Sequence, residues 1–472
     1  SDRFVRDVTD RFPGLLAASA MGVYLLLLVG TTIAVTDAVE TCAAWPACGD
    51  GLTLPTTAAG ALVVGHRLAA VVVGLLVLVA GIAAWRTDSR RRVRAALGVS
   101  LVCYPVQAAL GAVVATTGAA GPLPAAHLFV GMVIFGGLVA ALAWTLEAET
   151  GDPSDGPVTD PDALTPPEAP DEPADRPSLP DAPVARFRAV AGAYVRLTKP
   201  RLMWLLCLVA SAGMGLAAGT SLSGRTVALT LLGGVLSIGA SGTFNHVLER
   251  DVDRRMNRTS DRPLATDVVS VHNALAFGAL LTVGSLVAFA AVNWLVAVLG
   301  LVAIVFYSVI YTLVLKPNTV QNTVLGGAAG ALPALIGWAA VTGEVGLGGL
   351  VLATVIFLWT PAHFYNLALA YKDDYARGGF PMMPVVRGET ETRKHILWWL
   401  GATFVGAGVL ATWSALGWLY VGTAVVLGAA FLWAVVRLHV DQDESAAFRA
   451  FHASNAYLGA LLLAVVVDTL VI

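Results

Sequence analysis

The chain is written in long apolar blocks separated by short polar ones. A helix needs about 20 apolar residues to cross about 30 Å of hydrocarbon, and the sequence supplies such runs repeatedly. Four come first, at about 14–36, 60–84, 95–116 and 124–146. Nine more follow, at about 201–219, 226–246, 272–291, 293–314, 322–341, 347–369, 396–416, 418–437 and 453–471. Between the two sets, from Glu147 to Pro183, the chain turns to Pro, Asp and Glu, with Arg176 its only basic residue. Such a segment cannot bury a core and reads as a disordered, self-repelling tether. The pattern therefore predicts an all-α integral membrane protein with about 13 transmembrane helices in two bundles, four plus nine. The domain limits are 1–146, a linker at 147–188, and 189–472. The charged start, Ser1 to Pro13, leads into a run too long for a secretory signal, so the first run is read as a retained span.

Composition supports lipid as the solvent. Of 472 residues 57% are hydrophobic and 13% charged, against roughly 25% charged in soluble domains. A net charge of −3 leaves no broad basic surface, which excludes a nucleic-acid partner. Lysine occurs only at Lys199, Lys316, Lys372 and Lys394, so arginine carries most positive charge. Its placement orients the chain. Arg86, Arg90, Arg91, Arg92 and Arg94 lie between the second and third runs. Arg196, Lys199 and Arg201 precede the fifth, Arg250, Arg254, Arg255, Arg258 and Arg262 follow the sixth, and Lys372, Arg377, Arg387, Arg393 and Lys394 follow the tenth. All fall on one side if the N-terminus is cytoplasmic, and Arg225 is the main exception. The expected location is the cell membrane, multi-pass, with the acidic clusters described next on the cytoplasmic side.

Asn245, Glu249 and Asp253 are spaced i, i+4, i+8, which aligns three oxygen-bearing side chains on one helix face. Acids at a membrane-embedded helix end are costly and usually functional. Hard Mg²⁺ seeks carboxylate and phosphate oxygens, so this face suits a diphosphate bridged by magnesium. A plainer reading is a loop whose acids pair with the neighbouring arginines. A second cluster, Lys372-Asp373-Asp374-Tyr375, follows the tenth run on the same side. Two acidic clusters facing one another match the needs of a departing diphosphate, whose charge metal ions and cations would neutralise. Arg258, Arg262, Lys316 and Lys372 are the candidate phosphate-binding cations, with topology-setting surface charge as the alternative.

The Asn-x-x-x-acid-x-x-x-Asp run with its second acidic cluster resembles the signature of the UbiA-type intramembrane prenyltransferases. Four further segments are similar to the branch of that family that farnesylates protoheme IX. They are Leu197-Thr-Lys199-Pro200-Arg201, the run from Asp251 to Leu264, Trp359-Thr-Pro361-Ala-His363-Phe364, and Lys372-x-Asp374-Tyr375 followed by Pro381-Met-Met-Pro384-Val-Val. The resemblance runs from about Tyr194 to the C-terminus. It implies Mg²⁺ held by Asn245, Glu249, Asp253 and Asp374, with farnesyl diphosphate and haem b as substrates and haem O as product. Glu249 stands where the family usually has Asp. His363 is a candidate to ligate or orient haem iron, or else a buried histidine bonded to its helix. Two other functions compete: a UbiA-type enzyme acting on a quinone precursor or lipid acceptor, and a non-enzymatic haem-handling membrane protein.

The first four runs carry their own constellation. His66 and His127 fall at similar depth near the outer surface, a placement suited to axial haem ligation in a four-helix bundle. Cys42 and Cys48 lie in the first outer loop, where a disulfide is permitted. Cys103 and Cys207 fall within helices as inert core residues. Cys42 and Cys48 around Trp45-Pro46, His66-Arg67, Gln107 through Gly111, and His127 resemble one half of a haem A synthase. That family's acid three positions before the first histidine is replaced here by Val63. The resemblance implies a bound haem in this part, and haem A synthase or terminal oxidase assembly proteins as partners.

Overall fold

A computed structural model describes residues 11–36, 38–42, 44–48, 55–87, 89–118, 121–152, 154–157 and 179–471. Among these residues the chain is helical and has no strand. Thirteen helices there are long and apolar enough to cross a membrane. In chain order the helices are α1 (Phe12–Val35), α2 (Ala58–Arg86), α3 (Arg91–Thr117), α4 (Leu123–Thr150) and the short α5 (Pro183–Leu197). Then come α6 (Pro200–Ala218), α7 (Gly224–Leu248), α8 (Val271–Ala290), α9 (Trp294–Val305, continued by a π-helical turn Phe306–Leu315) and α10 (Asn322–Thr342). The last four are α11 (Leu347–Ala370), α12 (Glu389–Ser414), α13 (Trp418–Asp441) and α14 (Glu444–Val471).

Helix starts follow local chemistry. The side-chain oxygens of Thr57, Ser270 and Asn293 each accept the backbone N–H three residues on, at the starts of α2, α8 and α9. Proline opens α5 and α6, where its missing N–H costs nothing.

The helices gather into two compact units, Ser1–Asp152 with Arg393–Tyr457, and Pro153–Thr392 with Leu458–Ile472. Their limits differ from the four-plus-nine division, because α12 from Arg393, α13 and the start of α14 belong with α1–α4. The first unit is built on aromatic packing. Tyr24 of α1 stacks on Phe404 of α12 at 4.7 Å between ring centres. Phe135 of α4 lies 5.8 Å from Tyr24, and Tyr457 lies 5.4 Å from Phe404. All four are buried, and each such ring removes roughly 150–250 Å² from solvent. At one end of the unit Glu147 accepts from Lys394 Nζ at 2.8 Å and from Arg92.

That ion cluster corrects one expectation. Residues 147–150 continue α4 instead of opening a tether, because Arg92 and Lys394 neutralise Glu147. The far end of the segment is also helical, as α5. In the second unit, Asp155 Oδ2 accepts the backbone N–H of Thr390 at 2.6 Å, an N-terminal cap for α12 supplied by the acidic segment. Residues 158–178 lie outside the described residues.

In the second unit α6 and α10 approach closely through small residues. A side chain on Gly213 would come within 2.5 Å of the Ala334 carbonyl, and one on Gly337 would strike the Ala210 carbonyl. Small residues let helices associate in lipid by backbone contact, where no hydrophobic drive exists between them. Cys103 and Cys207 are half-buried instead of deep in a core.

Phe404→Ala should cost about 3–5 kcal/mol by leaving a cavity against Tyr24 and Tyr457. Trp433→Ala, on a side chain 63% exposed, should leave the unfolding midpoint in detergent nearly unchanged. The pair of midpoints checks both.

Candidate active site

The second unit collects its charged side chains at the ends of α7, α9 and α11 and the start of α6. Glu249 N donates to Asn245 O at 2.9 Å and Asp253 N to Glu249 O at 2.7 Å. The helical spacing thus continues past the end of α7 into the turn Arg250–Asp253, and keeps Asn245, Glu249 and Asp253 in line. All three are buried.

Each meets a cation. Asn245 Oδ1 accepts from Lys199 Nζ, and its Nδ2 donates to Thr312 Oγ1 at 3.1 Å. Lys199 Nζ also donates to the Tyr307 hydroxyl at 3.1 Å. Glu249 Oε1 accepts from Lys316 Nζ at 2.6 Å, and that ammonium lies 4.1 Å from the centre of the Phe380 ring. Both oxygens of Asp253 accept from one Arg262 nitrogen, at 2.7 and 2.8 Å. Asp374 accepts the backbone N–H groups of Asn257 at 3.2 Å and Arg258 at 2.9 Å, and also pairs with Arg377. The Arg258 guanidinium lies over Tyr371 and Tyr375, 4.6 and 5.3 Å from the ring centres.

Electrostatics follow from these pairings. Burial pushes the Glu249 carboxyl up, but Lys316, Lys199 and Arg262 outweigh it and hold the group below its usual range. For Asp253 burial wins over the Arg262 contact, and the carboxyl lies above its ordinary value. Burial also acts on Asp374, where the backbone N–H of Arg258 and the Arg377 side chain turn the balance downward. Burial, reinforced by Arg262, pulls the Lys199 ammonium down to about 7.

Glu249 and Asp253 share one charged neighbourhood with Lys199, Lys316 and Arg262. Asp374 is tied to the turn that follows Asp253, through the backbone N–H groups of Asn257 and Arg258. Among the described residues no three His, Cys, Asp or Glu side chains converge on a point that would hold a metal ion. The donors are all oxygens, however, and Mg²⁺ is ordinarily held by one or two carboxylates together with substrate phosphates. The donor set therefore fits an ion that arrives with a diphosphate.

Three predicted residues stay outside this cluster. Lys372 donates to Glu389 at 2.9 Å, and Asp373 is exposed. His363 sits within α11, roughly 10 Å from the helix end, buried and stacked on Trp359 at 4.2 Å. Three contributors were not among the predicted site residues. Lys199 lies in the matched segment before α6. Tyr307 and Thr312 come from the π-helical turn, where Thr312 Oγ1 donates five residues back to the Tyr307 carbonyl at 2.9 Å. Such turns often mark functional sites, but apolar periodicity carries no sign of one.

In the first unit Cys42 and Cys48 form a disulfide. Arg67 holds the adjoining loop by donating to the carbonyls of Cys42, Ala44, Pro46 and Ala47 at 2.8–3.1 Å. Val63 is buried against Ile33, Ala38 and Cys42, so this position packs the loop with apolar surface. His66 lies against Gly30 of α1, and His127 against Gly111 of α3. Among the described residues Nδ1 of both rings is buried without a hydrogen-bond partner, as is Gln107 Oε1, while Gln107 Nε2 lies 3.3 Å from His127 Nε2.

Residues 205–459 match the UbiA prenyltransferase family, and residues 5–139 match a cytochrome oxidase assembly protein family. A digeranylgeranylglyceryl phosphate synthase shares the fold, with a TM-score of 0.51 at 14% identity over 60% of this chain and all of that one. The chain belongs to the UbiA family of membrane prenyltransferases. Within it the similarity is to protoheme IX farnesyltransferases. That of Haloarcula marismortui is 65% identical over 97% of this chain and 98% of its own length, and that of Haloquadratum walsbyi 63% identical over 98% and 97%. A protoheme IX farnesyltransferase of Saccharopolyspora erythraea is 45% identical over 294 residues, which is 61% of this chain and 94% of its own.

Asp253→Ala should lower prenyl transfer by about 100-fold or more, the scale of losing one charge-stabilising group, while membrane insertion is retained. Glu249→Asp should stay within about tenfold of the parent, since a carboxylate is kept. Initial rates on equal amounts of inserted protein measure both.

Proposed function

We propose that this site transfers the farnesyl group of farnesyl diphosphate to a vinyl group of haem b, giving haem O and diphosphate. The observation that carries the reading is the set of cations held on buried side-chain oxygens at one end of the second unit: Lys316 on Glu249, Arg262 on Asp253, and Lys199 on Asn245. A diphosphate entering here offers Lys199, Lys316, Arg258 and Arg262 phosphate oxygens in exchange for their present partners. The carboxylates are then freed. Mg²⁺ arriving with the diphosphate would be held by Asn245, Glu249, Asp253 and Asp374, and would neutralise charge on the leaving group.

The C–O bond of the allylic ester breaks with its electron pair on the diphosphate, where the lysines and arginines stabilise the developing charge. The vinyl carbon of haem b forms the new C–C bond to the farnesyl carbon. Water adds to the resulting cation and loses a proton, which leaves a hydroxyethylfarnesyl chain. The apolar helices exclude bulk water from the allylic cation until capture. His363, buried and stacked on Trp359 within α11, is the candidate to ligate or orient the haem iron.

The protein is multi-pass in the membrane. Its arginine distribution supports a cytoplasmic N-terminus and a cytoplasmic active-site end. In the first unit, His66 and His127 are the proposed axial ligands of a haem, supported by their buried, unpartnered Nδ1 atoms. The product would pass to haem A synthase or to terminal oxidase assembly proteins.

Purified protein incubated with Mg²⁺, farnesyl diphosphate and haem b should yield a species with the mass of haem O. No such product, with the protein inserted and both substrates bound, overturns the assignment. His66→Ala combined with His127→Ala should remove a bis-histidine haem spectrum without stopping transfer. A chain beginning at Val184 should still make haem O, because every site residue lies between Lys199 and Asp374. It should also unfold at lower temperature, having lost the Tyr24–Phe404 stack and the Asp155 cap. Product mass and thermal midpoint on the same preparation check that pair of outcomes.

A further inference from the structure

Among the described residues, α5 is the one helix of this length that neither crosses the membrane by composition nor hides its apolar side. Val184, Phe187, Ala191 and Val195 recur at i, i+3, i+7 and i+11, which places them on a single stripe. Phe187 is 73% exposed, Val184 66% and Val195 56%. The other side of the helix is occupied: Ala193 and Leu197 are buried against Leu264, Val269 and Ala274. Arg196 donates to the Asp261 carboxylate at 2.7 Å and to its carbonyl at 2.9 Å. One face therefore grips the loop that carries Arg262, and the opposite face is apolar and open.

What covers it follows from the neighbouring chain. Lys199 turns the backbone with φ +52°, and Pro200 at once begins the membrane span α6, whose Leu202 and Trp204 are also exposed. The apolar stripe thus leads into a surface of exposed apolar side chains, its last residue, Val195, lying shortly before Pro200, where the span begins. Arg188 is exposed beside the stripe on the same helix, and arginine beside an apolar stripe is drawn to anionic headgroups.

We infer that α5 lies in the headgroup layer of the bilayer, with Phe187 inserted among acyl chains and Arg188 at phosphate level. In that position it straps the Arg262-bearing loop to the membrane surface. A soluble or membrane protein partner on this stripe is the competing occupant.

The test uses the full chain with Cys103→Ala and Cys207→Ala, so that one nitroxide can be placed by Phe187→Cys, Val195→Cys or Asp181→Cys. Each is reconstituted in vesicles of phosphatidylglycerol and phosphatidylcholine. Labels at 187 and 195 should be relaxed more by oxygen than by a water-soluble nickel chelate, and the label at 181 should show the reverse order. If the label at 187 matches that at 181, the helix is in water and the inference fails. If it is shielded from both reagents, protein covers the stripe and the inference fails equally.

Discussion

A charge placed at the end of a transmembrane helix must be neutralised where it stands, and the active site is organised by that demand. Leaving one buried partner without the other costs several kcal/mol. Glu249 therefore needs Lys316, from the far end of the π-helical turn, and Asp253 needs Arg262, from the loop beyond its own helix. Asn245 joins Lys199 at the start of α6 to Thr312. These contacts connect α6, α7 and the end of α9 at one level. A substrate rich in negative charge is the one ligand that can replace several such contacts together.

The same pairing explains why buried acids do not make the resting protein fragile. A buried ion pair gives little net stability, so exchanging one set of charged partners for another carries a small penalty. The exchange is also local. Asp374 is held chiefly by two backbone N–H groups and Arg377, and it fixes the turn from which Arg258 reaches over Tyr371 and Tyr375. The longer side chain at Glu249 suits its contact: it reaches Lys316 at 2.6 Å.

The first unit answers a different constraint. Its helices come from two distant stretches of chain, and what unites them is a stack of aromatic rings with a neutralised glutamate at one end. In lipid the apolar surface alone gives no reason for one helix to prefer another, so shape and polar contacts decide partners. The chain that matches the cytochrome oxidase assembly family and the last part of the UbiA match thus share a core.

How much was legible beforehand can be argued from particular residues. Thirteen spans were readable because the hydrocarbon sets a length that apolar runs either meet or do not. The line of Asn245, Glu249 and Asp253 was readable because helical spacing is a local property. The cysteine pair needed only six residues of separation to meet. Lys372 and Asp373 were misplaced because adjacency in sequence to Asp374 says nothing about which way a short helix turns its side chains. The amphipathic α5 was not singled out because it follows directly on a segment whose proline and acid content reads as disorder and is too short to span, although its own stripe is regular.

The sequence by itself determined the solvent, the number of spans, the acidic signature and the kind of ligand those acids suit, since each depends on composition or on spacing within one helix. Only the tertiary structure decided which cation meets which acid, that Lys199, Tyr307 and Thr312 join the site, and that α12 and α13 pack with the first four helices. Those outcomes depend on contacts that spacing within one helix does not carry, from Asp253 with Arg262 in the next loop to Tyr24 with Phe404 hundreds of positions away. An apolar run records that a helix will lie in lipid, but not which neighbour its small, aromatic or charged side chains will fit.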